Sequence, residues 1–202
     1  VWTNKNLKSR NLEIKIRDDL GIKQKHLTQK EILELEPNLN PVFDAGIIYE
    51  SAMHARDPHG ILKQIFRLFL NRGGKFIQTN IKSIEQSKTD ETIIRSDNEE
   101  YNFEKSVVAS GAFSKQFTDQ LGEKIPLDTE RGYHVHFKGF DHLISRPVVY
   151  ANRGFGMTPM EQGLRVVGTV EFGGLKNSLS KSRIKNLILN ARDMLDGLPE
   201  HK

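Results

Sequence analysis

Three short stretches carry residue types and spacings that could do chemistry. The first is Lys105–Phe117, KSVVASGAFSKQF, in which Val107, Val108 and Ala109 run into Ser110, Gly111 and Ala112. An apolar run that ends in residues without side-chain bulk lets a large ligand come close to bare backbone. The second is His134 and His136, two imidazoles two residues apart on one face of an alternating segment. That spacing suits two metal ligands, but no third ligand stands nearby, and a surface pair is the commoner reading. The third is His54, just before Asp57-Pro58, which reads as a polar residue at a junction rather than a catalytic group. Cysteine is absent, which removes disulfides, thiolate nucleophiles and thiolate-bound metals and fits a reducing compartment. The glycine pairs Gly73-Gly74 and Gly173-Gly174 lack the GxGxxG spacing that cradles a diphosphate at a helix N-terminus.

These residues need elements to position them. The 202 residues are 37% hydrophobic and 28% charged with net charge +4, a composition able to bury a core in one or two domains. Lys and Arg are spread among acids, which argues for a solvated mixed-charge surface and against a nucleic-acid groove. No apolar run is long enough to span a bilayer. The segment up to residue 26 is charged, with Leu7, Leu12, Ile14, Ile16 and Leu20 at a spacing that mixes helix and strand signals. Thr28 and Glu31 form a capping box flanked by Leu27 and Ile32 as a hydrophobic staple, and Pro37 ends that helix. A strand follows at Ala45–Glu50. Asp57-Pro58 opens a helix whose broad apolar stripe, Ile61, Leu62, Ile65, Phe66, Leu68 and Phe69, predicts packing against a sheet.

A strand from Phe76 through Ile84 with a bulge, then strands at Thr92–Arg95 and Tyr101–Phe103, make an antiparallel meander leading into Val107–Ala112. That segment reads as an inner strand, followed by a helix capped by Ser114 and stopped by Gly122. Tyr133, Val135 and Phe137 alternate as a half-buried strand, and further strands are expected at Pro147–Ala151, Phe155–Pro159 and Leu164–Phe172. Ser180 caps a closing helix with Ile184, Leu187, Ile188, Ala191 and Leu195 on one face.

VVASGAFS, DTERGYHV and GLRVVGTVEFGG resemble segments of the FAD-dependent amine oxidoreductases, the family of D-amino-acid dehydrogenases, glycine oxidase and sarcosine oxidase. GIIYESAMHARDPHGIL is similar to the family's passage between its two domains. The resemblance covers roughly Glu36 to Leu175 and is nearest to the D-amino-acid dehydrogenase small subunit.

It implies a mixed α/β and α+β fold: a partial FAD-binding domain beside an antiparallel substrate-binding sheet with flanking helices. The implied boundaries are a substrate-domain lead-in at 1–52, partial FAD domain at 53–124, and substrate sheet with closing helix at 125–202. It further implies that Ile81, Ser110, Gly111 and Ala112 lie against FAD, Ile81 through its backbone. It places Phe155, Met157, Thr169 and Glu171 at the substrate cavity. The residues themselves leave Phe155 and Met157 equally open as core and Glu171 as solvated. No catalytic residue and no metal site is assigned.

The implied reaction moves a hydride from the Cα of an amino acid to flavin N5, giving an imino acid and then a keto acid and ammonia. Glycine or sarcosine oxidation, 2-hydroxy-acid dehydrogenation on the same fold, and a non-catalytic small-ligand or interaction domain remain alternatives. The electron acceptor, quinone or oxygen, stays open. The implied location is cytoplasmic, with peripheral contact to the inner face of a membrane also open. The ends at Val1 and at Pro199–Lys202 read as interior to a longer protein, in which the GxGxxG turn and a substrate-binding arginine would lie elsewhere.

Overall fold

The computed structural model describes residues 1–3 and 7–199, the side chains of 7–10 excepted. The Leu7 side chain and the segment 200–202 therefore lie outside the described residues. In chain order the elements are α1 (Leu7–Asp19), β1 (Lys25–Thr28), α2 (Gln29–Leu35), β2 (Ala45–Ile48), α3 (Pro58–Asn71), β3 (Ile81–Gln86), β4 (Thr92–Ser96), β5 (Glu100–Phe103), α4 (Lys115–Gln120), β6 (Arg131–Phe137), β7 (Val148–Tyr150), β8 (Phe155–Met160), β9 (Gly163–Glu171) and α5 (Lys181–Met194). They fall into two compact units. One holds Val1–Ile61, Gly132–Glu171 and Ser178–Lys202; the other holds Leu62–Arg131 and Phe172–Asn177.

The first unit is built on an antiparallel layer with strand order β6-β9-β8-β7 and a hairpin of β1 and β2. The opening residues join the two. Ala151 N donates to Val1 O at 3.1 Å on the β7 side, and Trp2 N donates to Ala45 O at 2.9 Å on the β2 side. Val1 N also donates to Val149 O at 2.7 Å. An edge strand exposes unpaired donors and acceptors, and this short extended piece satisfies both edges at once.

One face of the layer is dry. Tyr133, Val135, Phe137, Val148, Tyr150, Phe155, Met157, Leu164 and Val166 meet Leu187, Ala191 and Met194 from α5, and all are buried. The stripe seen in the sequence at Leu187 and Ala191 is the face α5 presents. The Thr28–Glu31 capping box forms as expected: Thr28 N donates to Glu31 Oε2 at 2.8 Å and Glu31 N to Thr28 Oγ1 at 3.3 Å. The Thr28 backbone N–H, together with the Thr28 hydroxyl donating to the same Oε2 at 2.8 Å, holds the Glu31 carboxyl below the usual range. Leu27 and Ile32 both enter the core beside this cap.

The second unit differs from expectation in four places, three in its sheet and α3 and one at the start of α4. Its meander β3-β4-β5 is present, and the register slips between Ile81 and Ser83 where the bulge was anticipated. The strand, however, starts at Ile81 rather than Phe76. Val107–Ala109 forms no strand, and Val107 is 90% exposed. A strand is defined by its partner's hydrogen bonds, and no neighbour is available to this segment among the described residues. Third, α3 has no buried residue; Ile61, Leu62, Ile65, Phe66, Leu68 and Phe69 all stand open. Its start is as expected, with Gly60 N donating to Asp57 Oδ1 at 2.9 Å, so local signals fixed the helix while its packing face stays uncovered.

Only Ile84 and Phe117 are buried apolar residues in this unit among those described. Helix α4 is tied to β3 through Gln120, whose Oε1 accepts from Ile84 N at 3.0 Å and whose Nε2 donates to Lys82 O at 3.1 Å. Ser114 does not cap it. A 3₁₀ turn at Gly111–Phe113 precedes it, so Ser114 is already helical and its hydroxyl meets that of Ser110 at 3.2 Å.

The two kinds of apolar residue should behave oppositely. Leu187→Ala should cost about 2–5 kcal/mol in urea unfolding, because it empties a filled position. Leu62→Glu should leave stability within about 0.5 kcal/mol and lower self-association of the chain in sedimentation. A loss of several kcal/mol at Leu62 would show that the α3 face is packed.

Candidate functional site

Each unit carries part of the site inferred from the sequence. In the second unit, Gly111 has φ +54°, and a Cβ built there meets nothing within 4 Å. The left-handed backbone favours glycine at this turn, and the space in front of it is open. Ser110 and Ala112 flank it half-buried, and Ile81 begins the strand to which α4 is tied. Small residues at an open turn fit the approach of a dinucleotide to backbone. The chain contains no GxGxxG, so the phosphate cradle is not among these residues.

In the first unit the focus is Thr169. Its φ is +58°, a left-handed value that β-branched residues avoid, and its Oγ1 is buried without a hydrogen-bond partner. Strain of this kind typically costs about 1–3 kcal/mol and persists where surrounding structure imposes it. The surroundings are visible. Phe155 pairs with Gly168, and a Cβ on Gly168 would stand 2.7 Å from Gly154 O. The chain is thus pinned immediately before Thr169.

The twist changes which face β9 presents. Leu164 and Val166 point into the core and Arg165 and Val167 away from it, so strict alternation would send residue 171 away as well. Instead the Glu171 carboxylate accepts the hydroxyl proton of the buried Tyr133. Tyr133 Oη in turn accepts from Ser180 N at 3.0 Å, at the start of α5. Glu171 is therefore neither free nor simply solvated. The Tyr133–Glu171 link was missed from sequence, although RGYHV and GTVE both stood out there; the positive φ that connects them has no sequence signature in a threonine.

Phe155 and Met157 are 2% and 0% exposed and lie in the core under α5. Their register opposite Tyr150, Val148 and Val166 places them among the core residues, the alternative their sequence left open. His54 meets Pro159 O at 3.3 Å, a structural contact. The other face of the layer carries His134, His136, Arg165 and Val167 at least partly exposed. Burial, the neighbouring His134 and Arg165 together hold His136 below the ordinary imidazole pKa.

A separate concavity of about 870 Å³ opens beside the β1–β2 hairpin, bounded by Leu27, Ile32, Gly46, Ile48, Glu36 and Arg146. Glu36 there is 4% exposed and saturated by Ser145 N, Ser145 Oγ and Arg146 Nε at 2.9, 2.5 and 3.0 Å. Its carboxylate holds the loop; His54 also lines this opening, whereas none of the residues that the resemblance places at cofactor or substrate does. Among the described residues no group of three or more His, Cys, Asp or Glu is placed to hold a metal ion. No helix among them is long and apolar enough to cross a membrane.

A four-stranded antiparallel layer with helices in one unit and a three-stranded meander in the other make a mixed α/β fold. The family model for FAD-dependent oxidoreductases matches residues 3–201, and the chain belongs to that family. FAD is the family's cofactor. A D-amino-acid oxidase from Bradyrhizobium diazoefficiens is 28% identical over 185 residues, 92% of this chain and 44% of that protein. A D-amino acid dehydrogenase from Vibrio vulnificus is 22% identical over 197 residues, 95% of this chain and 47% of the relative. The chain thus spans about half the length of the relatives it matches.

Among solved structures, glycine oxidase from Bacillus cereus superposes with TM-score 0.77 at 21% identity, over 95% of this chain and 53% of that one. L-alpha-Glycerophosphate oxidase from Mycoplasma pneumoniae, with FAD bound, gives 0.76 at 19% identity over 95% and 55%. These likenesses establish the mixed α/β fold expected from the sequence.

Thr169→Gly removes the cost of the left-handed backbone. It should unfold at equal or higher urea concentration than the parent chain, by up to about 1 kcal/mol, against the usual penalty for glycine in a strand. A clear destabilisation would show that the threonine side chain, not the backbone twist, is what the position requires.

Proposed function

We propose that the protein containing this chain oxidises the amine of a D-amino acid, in the manner of a D-amino-acid dehydrogenase. The observation that carries the reading is the match of nearly the whole chain to relatives named D-amino-acid oxidase and D-amino acid dehydrogenase. FAD, when bound, supplies the acceptor for the Cα hydrogen, leaving as hydride; water then releases keto acid and ammonia. The residues here bind and orient. Ser110, Gly111 and Ala112 offer bare backbone to the cofactor, and Ile81 offers its backbone to the adenine. Thr169 stands at the substrate wall with an unpartnered hydroxyl that a substrate group can satisfy. Glu171, fixed by Tyr133, holds the end of β9 in the twisted course that presents Thr169.

The reading also explains why α3 and the unpaired segment before Ser110 stand open. They are one part of a nucleotide-binding layer whose Gly-rich strand, turn and helix lie outside these residues. The 202-residue chain purified alone should therefore carry no stoichiometric FAD, as read from its visible absorbance. The flavin-loaded protein containing it should lose its visible flavin absorbance when a D-amino acid is added without oxygen. A yellow chain, or a flavin that no member of a D-amino-acid panel reduces, would contradict the reading.

A further inference from the structure

The open face of the β6-β9-β8-β7 layer concentrates basic groups that lack counter-charges. His134 and His136 project from β6 with ring centroids 5.2 Å apart, at 77° to one another. Arg165 projects from the adjacent strand β9, near enough to His136 to disfavour its protonation. Arg165 Nε is buried and has no hydrogen-bond partner, and neither imidazole has one among the described residues. Thr158 lies directly across from Arg165 on β8, on the same face.

No ion pair joins a carboxylate to this group among the described residues, and several carboxylates of the same unit have other partners. Asp141 pairs with Arg56, Glu36 with Arg146, Asp193 with Arg153, and Glu171 takes the Tyr133 proton. A buried guanidinium N–H without an acceptor costs stability, as does crowding imidazoles against a fixed cation. Both costs vanish when an oxyanion arrives. A planar carboxylate matches the guanidinium fork, and each neutral imidazole can turn an N–H toward it.

We propose that His134, His136 and Arg165 form an oxyanion site that holds the side-chain carboxylate of an acidic amino acid. The inference rests on the amino-acid reading above and sharpens it: the substrate class is dicarboxylic. Arg165 lies four residues before Thr169 on the same strand, so one strand serves both the reacting end and the distal end of the substrate. Arg165 supplies the fixed charge. The two imidazoles supply N–H donors that can turn toward the anion.

The test has two arms. In the chain itself, NMR follows the titration of His134 and His136 as glutarate or inorganic phosphate is added. Glutarate should raise the His136 midpoint in the parent chain and not in Arg165→Gln. No movement with glutarate, or a larger one with phosphate, overturns the carboxylate site.

In the flavin-loaded protein, the ratio of kcat/KM for D-glutamate over D-alanine should fall about 10- to 100-fold in Arg165→Gln, the loss expected for one charge-assisted contact. Arg165→Lys should recover part of it, and His136→Asn should lower the ratio independently should the arginine variant fold poorly. A ratio indifferent to all three variants overturns this inference and leaves amino-acid oxidation intact. A flavin reduced by neither substrate overturns both.

Discussion

The constraint on which the rest depends is that a backbone must find partners. In the first unit every strand does. The opening residues stitch β7 to β2, so two small sheets share continuous hydrogen bonding, and α5 seals the dry face. In the second unit the same requirement goes unmet at 107–109, where a sequence that reads as an inner strand forms none. The apolar stripe of α3 is uncovered in the same unit. Apolar area and unpaired backbone of this extent mark a surface built to be covered.

The first unit shows how packing generates a site. Gly154, Phe155 and Gly168 lie close together, and the strand takes a left-handed step at Thr169 immediately after. That twist turns Glu171 to Tyr133, and Tyr133 fastens the entry to α5. Core and site are thus connected through three residues. The same layer keeps Phe155 and Met157 for the core on one face and leaves His136 and Arg165 partly exposed on the other.

Much of this was legible in the sequence. Capping boxes, the Asp-Pro helix start, the bulged meander and the alternation at Tyr133–Phe137 are local signals, and local chemistry decides them. The open glycine turn at 110–112 was legible for the same reason. Pairing is not local: nothing in Val107–Ala109 reports whether a partner strand is present, and nothing in the α3 stripe reports what will cover it. Facing is only half local. Alternation could have told Arg165 from Leu164 and Val166, but which side faces ligand depends on where α5 packs. The left-handed backbone at Thr169 breaks alternation just after Gly168, and no pattern in GTVE announces it.

Hydrogen exchange at the amides of Val107 to Ser110 tests most directly whether this unit is part of a cofactor-holding layer. In the 202-residue chain those amides should exchange as fast as an unstructured loop. In the flavin-loaded protein they should be protected to the level of a central strand. Equal exchange in the two states would contradict the account, because the segment would then have no strand to complete.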